Sequence, residues 1–467
     1  MTDYRTEKDT LGDVRVPADA LWGAQTQRAV ENYPISGLRE HPIFVRSFIY
    51  LKKAAALANK ELKAMEPKLA EAIVAACDEL LKNETKYRDQ FVVDVFQAGA
   101  GTSFNMNVNE VIANIANRAL GGKSGEYKPI NPNDHVNMAQ STNDVFPTAI
   151  RVATTLLLEE LWPRLEQMID AFDDRGRAFA DVIKSGRTHL QDAVPITLGQ
   201  EFKAYAAALH RATKLLRDSA AELRHLGIGG TAAGTGINTP KGYRFAVVKH
   251  LNAISGQKFE AMQDLREGMQ SQLPVSATSA AYRNLALELT RITNDIRLLA
   301  SGPQTGLAEI ILPAVQPGSS IMPGKVNPSM LECMNQILFH VIGSDTTIAF
   351  ATQAGQLELN VMMPLMAFEI LFSIDILKNF LPVFVEKCIR GIEADRKRLE
   401  AYYISSPSLA TALNPIIGYA RAAEIAKESA KSGTPIPTLL REKKLLSEEE
   451  IQRIFTPEFL AGQADRA

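Results

Sequence analysis

Pro317-Gly318-Ser319-Ser320-Ile321-Met322-Pro323-Gly324-Lys325-Val326-Asn327-Pro328-Ser329-Met330 decides how the rest of the chain is read. Prolines and glycines at this density break helix and strand alike, so the stretch is a loop. It is not polar filler. Between Ser319 and Asn327 it carries two hydroxyls, an ammonium and an amide. Those groups can bind an anion and move a proton. Gly318 and Gly324 would let the loop open and close as a lid.

Around the loop lies a chain of 467 residues with 46% hydrophobic content, ample for a large core. Its net charge of −2, from 51 basic and 53 acidic residues, gives no electrostatic case for nucleic acid or an anionic membrane. The cysteines, Cys77, Cys333 and Cys388, are too few and too scattered for a disulfide framework or a zinc site. Residues Met1 to Asp13 are charged and lack an apolar signal core. No apolar run reaches the roughly 20 residues of a membrane helix. The expectation is a soluble, cytoplasmic protein.

Five stretches have helical patterning: Leu51 to Lys82, Ile150 to Lys184 (interrupted by Pro163), Pro195 to Leu226, Ser276 to Ser301, and Leu357 to Ala394. Pro195 suits a helix N-terminus, and Pro364 marks a kink. Helices of that length need partners along their whole span, which predicts a bundle. Val361 to Phe372 is apolar nearly all round, with Glu369 its only charge. A helix buried on more than one face implies other subunits. The predicted fold class is all-α, in three parts: an N-terminal domain over 1–140, a central long-helix bundle over 141–397 and a small C-terminal helical domain over 398–467.

Three further segments place dense small polar residues in this helical chain. They are Gly99 to Asn107, Gln140 to Asp144, and Gly186 to Asp192. Each alone reads as a cap or turn. His189 alone reads as a structural histidine, Arg187 as a helix-end ion pair and Lys325 as a solvated surface charge. Their recurrence beside long helices points instead to convergence on one pocket. Many neutral donors with one or two cations suit a small dicarboxylate. No metal-ligand spacing, dinucleotide fingerprint or phosphate loop is present, so no cofactor is expected. Gly229 to Gly236 is glycine-rich like a nucleotide loop but lacks the following lysine and a preceding strand.

Gly318 to Pro328 resembles the characteristic loop of the aspartase/fumarase superfamily, and the other three clusters resemble its remaining regions in the same order. Trp22-Gly23-Ala24-Gln25-Thr26-Gln27-Arg28-Ala29 resembles its N-terminal segment, and Ala412-Leu413-Asn414-Pro415 with Ile417-Gly418-Tyr419 its C-terminal domain. Four positions favour the ammonia-lyase branch over the fumarase branch: Ala100, Thr142, Asn131 (where fumarases carry a histidine) and the run Glu332-Cys333-Met334-Asn335-Gln336. Two positions depart from the pattern. Gln304 stands where arginine is usual, and Met363 where the ammonia-lyases have glutamate.

The resemblance implies elimination of ammonia from L-aspartate to give fumarate, or of water from L-malate in the fumarase branch. A catalytically silent relative, like the lens crystallins, is the reading from another class. By resemblance Ser319 is the base that takes the Cβ proton, giving an enediolate. Backbone N–H groups and Lys325 stabilise its alkoxide. Thr102, Ser141, Thr142 and Ser320 bind the β-carboxylate. Lys325, Asn327 and Thr188 hold the α-carboxylate. Asn143 and His189 face the leaving amino group, and Glu332 orients His189. The family further implies a homotetramer whose active sites join three chains.

Overall fold

The computed structural model describes residues 3–460. The chain is mainly helical, with four two-stranded sheets among the described residues. Four helices reach 25 residues or more: Thr142–Ala178 (37 residues), Leu273–Leu299, Ser329–Gln353 and Met363–Lys387. The longest spans about 55 Å.

Several boundaries differ from the sequence expectation. The stretch Leu51 to Lys82 forms two helices, Pro42–Glu61 and Pro67–Lys82, each opened by a proline that lacks the N–H a helix start leaves unused. Pro195 lies in the strand Gln191–Thr197, not at a helix start. The helix that follows, Leu198–Ala220, is capped by Thr197 and Gln200. Gln200 N–H donates to Thr197 Oγ1 at 3.0 Å, and Thr197 N–H donates to Gln200 Oε1 at 3.1 Å. Pro364 is the second residue of Met363–Lys387, where proline costs nothing, so it makes no kink. Ser329–Gln353 is a further long helix outside the five stretches with helical patterning.

The chain divides into two compact units. One comprises residues 1–161, 215–284 and 339–376. At its heart, Phe44 and Phe48 of Pro42–Glu61 meet Phe104 of Thr102–Ala119 and Phe146 of Thr142–Ala178, with ring centroids 5.1–5.7 Å apart. This aromatic cluster locks the N-terminal turns of the last two helices in place. Gly101 must be glycine: its φ is +81°, and a Cβ there would stand 2.0 Å from Phe146 Cε2. Thr102–Ala119 is unusually polar inside. Asn107, Asn114 and Asn117 are buried and donate to the carbonyls of Gln90, Leu21 and Ile130. Buried Glu110 accepts from Gly23, Gln25 and Thr26 N–H. The helix thereby pins the loops around it.

The other unit comprises residues 162–214, 285–338 and 377–467. Its antiparallel hairpin Ile183–Thr188 and Gln191–Thr197 carries a register shift between Ser185 and Arg187. A buried ion cluster anchors it. Lys184 Nζ lies 3.1 Å from Glu201 and 3.2 Å from Glu309, and Arg187 lies 2.6 Å from Glu309. Leu409, Leu413, Ile436, Leu440 and Ile454 form a separate apolar core near the C-terminus. No described helix is long and apolar enough to cross a membrane.

Candidate active site

Four of the expected residues lie in the first unit. Ala98 leads into Ala100 (φ 61°) and Gly101, a left-handed pair tied down by Ala100 N–H to Val361 O at 2.8 Å. That turn puts Thr102 at the exposed first position of its helix. Ser141, Thr142 and Asn143 form the first turn of Thr142–Ala178. Asn143 N–H donates to Ser141 Oγ at 3.2 Å, and Ser141 N–H donates to Asp144 Oδ1 at 2.9 Å.

Asp144 extends this cap. Its Oδ2 accepts from Gly229 N–H at 3.0 Å and Thr231 N–H at 2.9 Å. Burial pushes its carboxyl up to about 6, against the pull of these backbone donors and of Lys52. The glycine-rich segment 229–236 is thus a brace behind the turn. Its Gly234, at φ +81°, lies so close to Arg266 that a Cβ would come within 2.4 Å of that residue's Cα. Asn143 is held by the same brace, its Nδ2 donating to Ala232 O at 2.8 Å. That leaves Oδ1 as an acceptor, the polarity an amino group requires.

Behind Thr142 stands a residue the sequence reading passed over. Lys52 is fully buried, and its ammonium donates to Asn105 Oδ1 at 2.8 Å, Asn137 Oδ1 at 2.9 Å and Gln140 Oε1 at 3.0 Å. Asn105 Nδ2 in turn donates to Thr142 Oγ1 at 3.1 Å. A signal was available. At helical spacing Lys52 shares a face with Phe48, Ala55, Ala56 and Asn59, and all are buried.

The other seven residues lie in the second unit. Thr188 ends one hairpin strand, and His189 and Leu190 form its two-residue turn, with φ of 57° and 58°. Both positive values match a turn of the mirror-image type, whose twist suits a hairpin. The third polar cluster therefore sits on a strand turn rather than at a helix edge as expected. His189 is exposed there.

The 317–330 loop is pinched at its base. Gly318 N–H donates to Lys325 O at 2.8 Å, and Asn327 Nδ2 donates to Gly318 O at 2.7 Å. A Cβ on Gly318 would lie 2.6 Å from Lys325 O, so only glycine permits the crossing. Within the arch Ser319 Oγ accepts two backbone N–H groups, from Ile321 at 3.2 Å and Met322 at 3.1 Å. Ser320 and Lys325 are exposed along its outer edge. Glu332 sits in the first turn of Ser329–Gln353 and makes no hydrogen bond to His189 within the chain. Of the two departures, Gln304 is exposed and Met363 fully buried. An isolated glutamate at Met363 would require a buried partner.

Comparison with known proteins agrees with this architecture. A family model described as "Lyase" matches residues 12–343, and one described as "Fumarase C C-terminus" matches 409–462. The aspartate ammonia-lyase of Bacillus subtilis is 49% identical over 455 residues, 97% of this chain and 95% of that one. A solved fumarate lyase:delta crystallin from Brucella melitensis, bound to cobalt, superposes with a TM-score of 0.94 at 47% identity, covering 98% of this chain and all of the other. The class II fumarase of Schistosoma mansoni superposes with a TM-score of 0.93 at 34% identity, covering 99% of this chain and all of the other.

Proposed function

The chain belongs to the aspartase/fumarase superfamily of lyases, and we propose that it is an aspartate ammonia-lyase, a carbon–nitrogen lyase that converts L-aspartate to fumarate and ammonia. Near-full-length identity of 49% to an aspartate ammonia-lyase, against 34% to a class II fumarase, supports the leaving group. The polarity of Asn143 fits it as well, since an amide oxygen left free accepts from an amino group.

The observation that carries the mechanism is the pair of N–H groups on Ser319 Oγ. A serine hydroxyl is a poor base unless its alkoxide is stabilised. Two backbone donors fixed before reaction supply that stabilisation without reorganisation, and Lys325 on the same arch adds a positive charge. Ser319 then removes the Cβ proton of L-aspartate. Charge moves into the β-carboxylate, where Thr102, Ser141, Thr142 and Ser320 donate to the enediolate oxygens. Each such donor is worth roughly 3–4 kcal/mol in comparable oxyanion sites. Thr188, Lys325 and Asn327 hold the α-carboxylate. The Cα–N bond breaks as ammonia departs toward Asn143 and His189, with Glu332 orienting the imidazole. The exposed arch closes as a lid during this sequence.

The assembly belongs to the same proposal. Phe350, 65% exposed in the single chain, Phe339 at 56% and Phe372 at 41% lie on long helices. Such faces call for partner subunits. A homotetramer covers them and lets three chains contribute to each site, so Glu332 reaches His189 of another subunit. The same proposal includes the three-part division at 140 and 397 and a cytoplasmic location.

Ultraviolet absorbance of fumarate decides the substrate: L-aspartate turns over and L-malate does not. Turnover of L-malate alone would overturn the assignment. Mixing and refolding a Ser319→Ala variant with a His189→Ala variant tests the shared site, and recovered activity is expected. No recovery would count against it.

A further inference from the structure

Lys52 has no role in the mechanism above, yet its surroundings are too specific for a structural accident. It is fully buried, and among the described residues no carboxylate touches it. Its three contacts are all amide oxygens, from Asn105, Asn137 and Gln140. A neutral amine has two hydrogens and cannot serve three acceptors, so this cage fits the ammonium. The charged group acting on it is Asp144, across the network at the start of Thr142–Ala178; the Cys77 thiol on Pro67–Lys82, pushed up to about 12 by burial, is neutral. Burial pulls the lysine down to about 7, and Asp144 opposes that pull.

The consequence lies one bond further on. An asparagine amide can sit either way round, and its neighbours decide which. The ammonium demands Oδ1 of Asn105, which turns Nδ2 outward to Thr142 Oγ1 at 3.1 Å. Thr142 thereby accepts from behind, and its own proton has no acceptor among the described residues. That proton is left to donate forward.

We propose that Lys52 is a positioning residue that sets the hydrogen-bond polarity of Thr142, fixing the Asn105 amide so that the Thr142 hydroxyl must donate to the substrate carboxylate. The inference rests on the assignment of Thr142 as a carboxylate ligand. Without the ammonium, only the long 3.4 Å bond from Asn105 Nδ2 to Asn137 Oδ1 opposes a turn of the amide that brings its oxygen to Thr142, and the hydroxyl then donates inward.

Asn105→Asp reverses the polarity without removing Lys52. The introduced carboxylate pairs with the ammonium, so Tm is expected to match or exceed the parent's. Thr142 can only donate to it, so kcat/KM for L-aspartate is expected to fall by about 10- to 100-fold, chiefly through KM. A structural defect would instead lower Tm and apparent kcat and leave KM alone. Parent-like kcat/KM in Asn105→Asp overturns the proposal. A double-mutant cycle supplies the independent arm. Lys52→Met and Thr142→Val are each expected to impair binding, and Lys52→Met to add little once Thr142 is valine. Additive losses would show that Lys52 acts by another route and overturn the inference alone. A Thr142→Val enzyme with normal KM would instead remove the carboxylate role of Thr142, and this inference with it.

Discussion

Asp144→Asn is the substitution whose consequence the structure specifies most fully. The carboxylate accepts three backbone N–H groups at 2.9–3.0 Å, one on Oδ1 and two on Oδ2, and is fully buried. Asparagine has one oxygen. Its better orientation keeps that oxygen on Gly229 and Thr231 and turns Nδ2 toward Ser141 N–H, setting donor against donor. A stranded buried N–H costs about 1–3 kcal/mol, and the two surviving bonds lose their charge assistance, so the total is about 3–5 kcal/mol. Ser141 is the group released, and with it the turn that aims Ser141, Thr142 and Asn143. Misplacement of such groups by about 1 Å costs on the order of 100-fold in rate. Fumarate absorbance with L-aspartate as substrate should therefore show kcat/KM lowered by about 100-fold. A thermal scan should show Tm lowered by several degrees. If kcat/KM stays within about threefold of the parent, the brace from Asp144 to segment 229–236 does not hold the site.

Other outcomes follow from buried charges away from that turn. Glu309→Ala leaves Lys184 with Glu201 alone and Arg187 without its carboxylate, a loss of about 3–5 kcal/mol for breaking a buried pair. A lowered urea midpoint together with reduced turnover is expected, since the cluster anchors the strand ending in Thr188. An unchanged midpoint would refute it. Glu40 is buried beside Asp94, and both effects push its carboxyl up to about 8 from 4.5. A raised folded-state value means its stability contribution is complete in acid and is lost as pH climbs through about 8. Permanently neutral Glu40→Gln should therefore be more stable than the parent near pH 9, by at most about 5 kcal/mol, with little difference near pH 5. Melting curves at both pH values check this, and equal Tm at pH 9 would contradict it.

The fold was legible in the sequence where breakers and periodicity agree. Pro67 failed to signal the break within Leu51 to Lys82 because the apolar period resumes on the same face beyond it. Pro195 misled because a proline preceding a helical pattern suits a strand end as well as a helix start. The hairpin 183–197 escaped because its buried members include Lys184 and Ser185, which spoil apolar alternation. Ser319, Lys325 and His189 could be singled out because their segments are dense in breakers and polar groups. Lys52 and Asp144 were harder to read, for different reasons. A lysine in an alanine-rich helix looks like a solvated charge, and an aspartate three residues past a serine looks like an ordinary cap. Only the tertiary partners, Asn105 for one and Gly229 with Thr231 for the other, give them meaning.

We propose that Ser319, held by two backbone N–H groups, takes the Cβ proton of L-aspartate. Turnover of L-aspartate by Ser319→Ala, measured as fumarate absorbance on protein whose melting curve matches the parent's, tests it most directly. A fall of about 1,000-fold or more is expected, in line with loss of a general base. A variant that keeps turnover within about tenfold of the parent would contradict it.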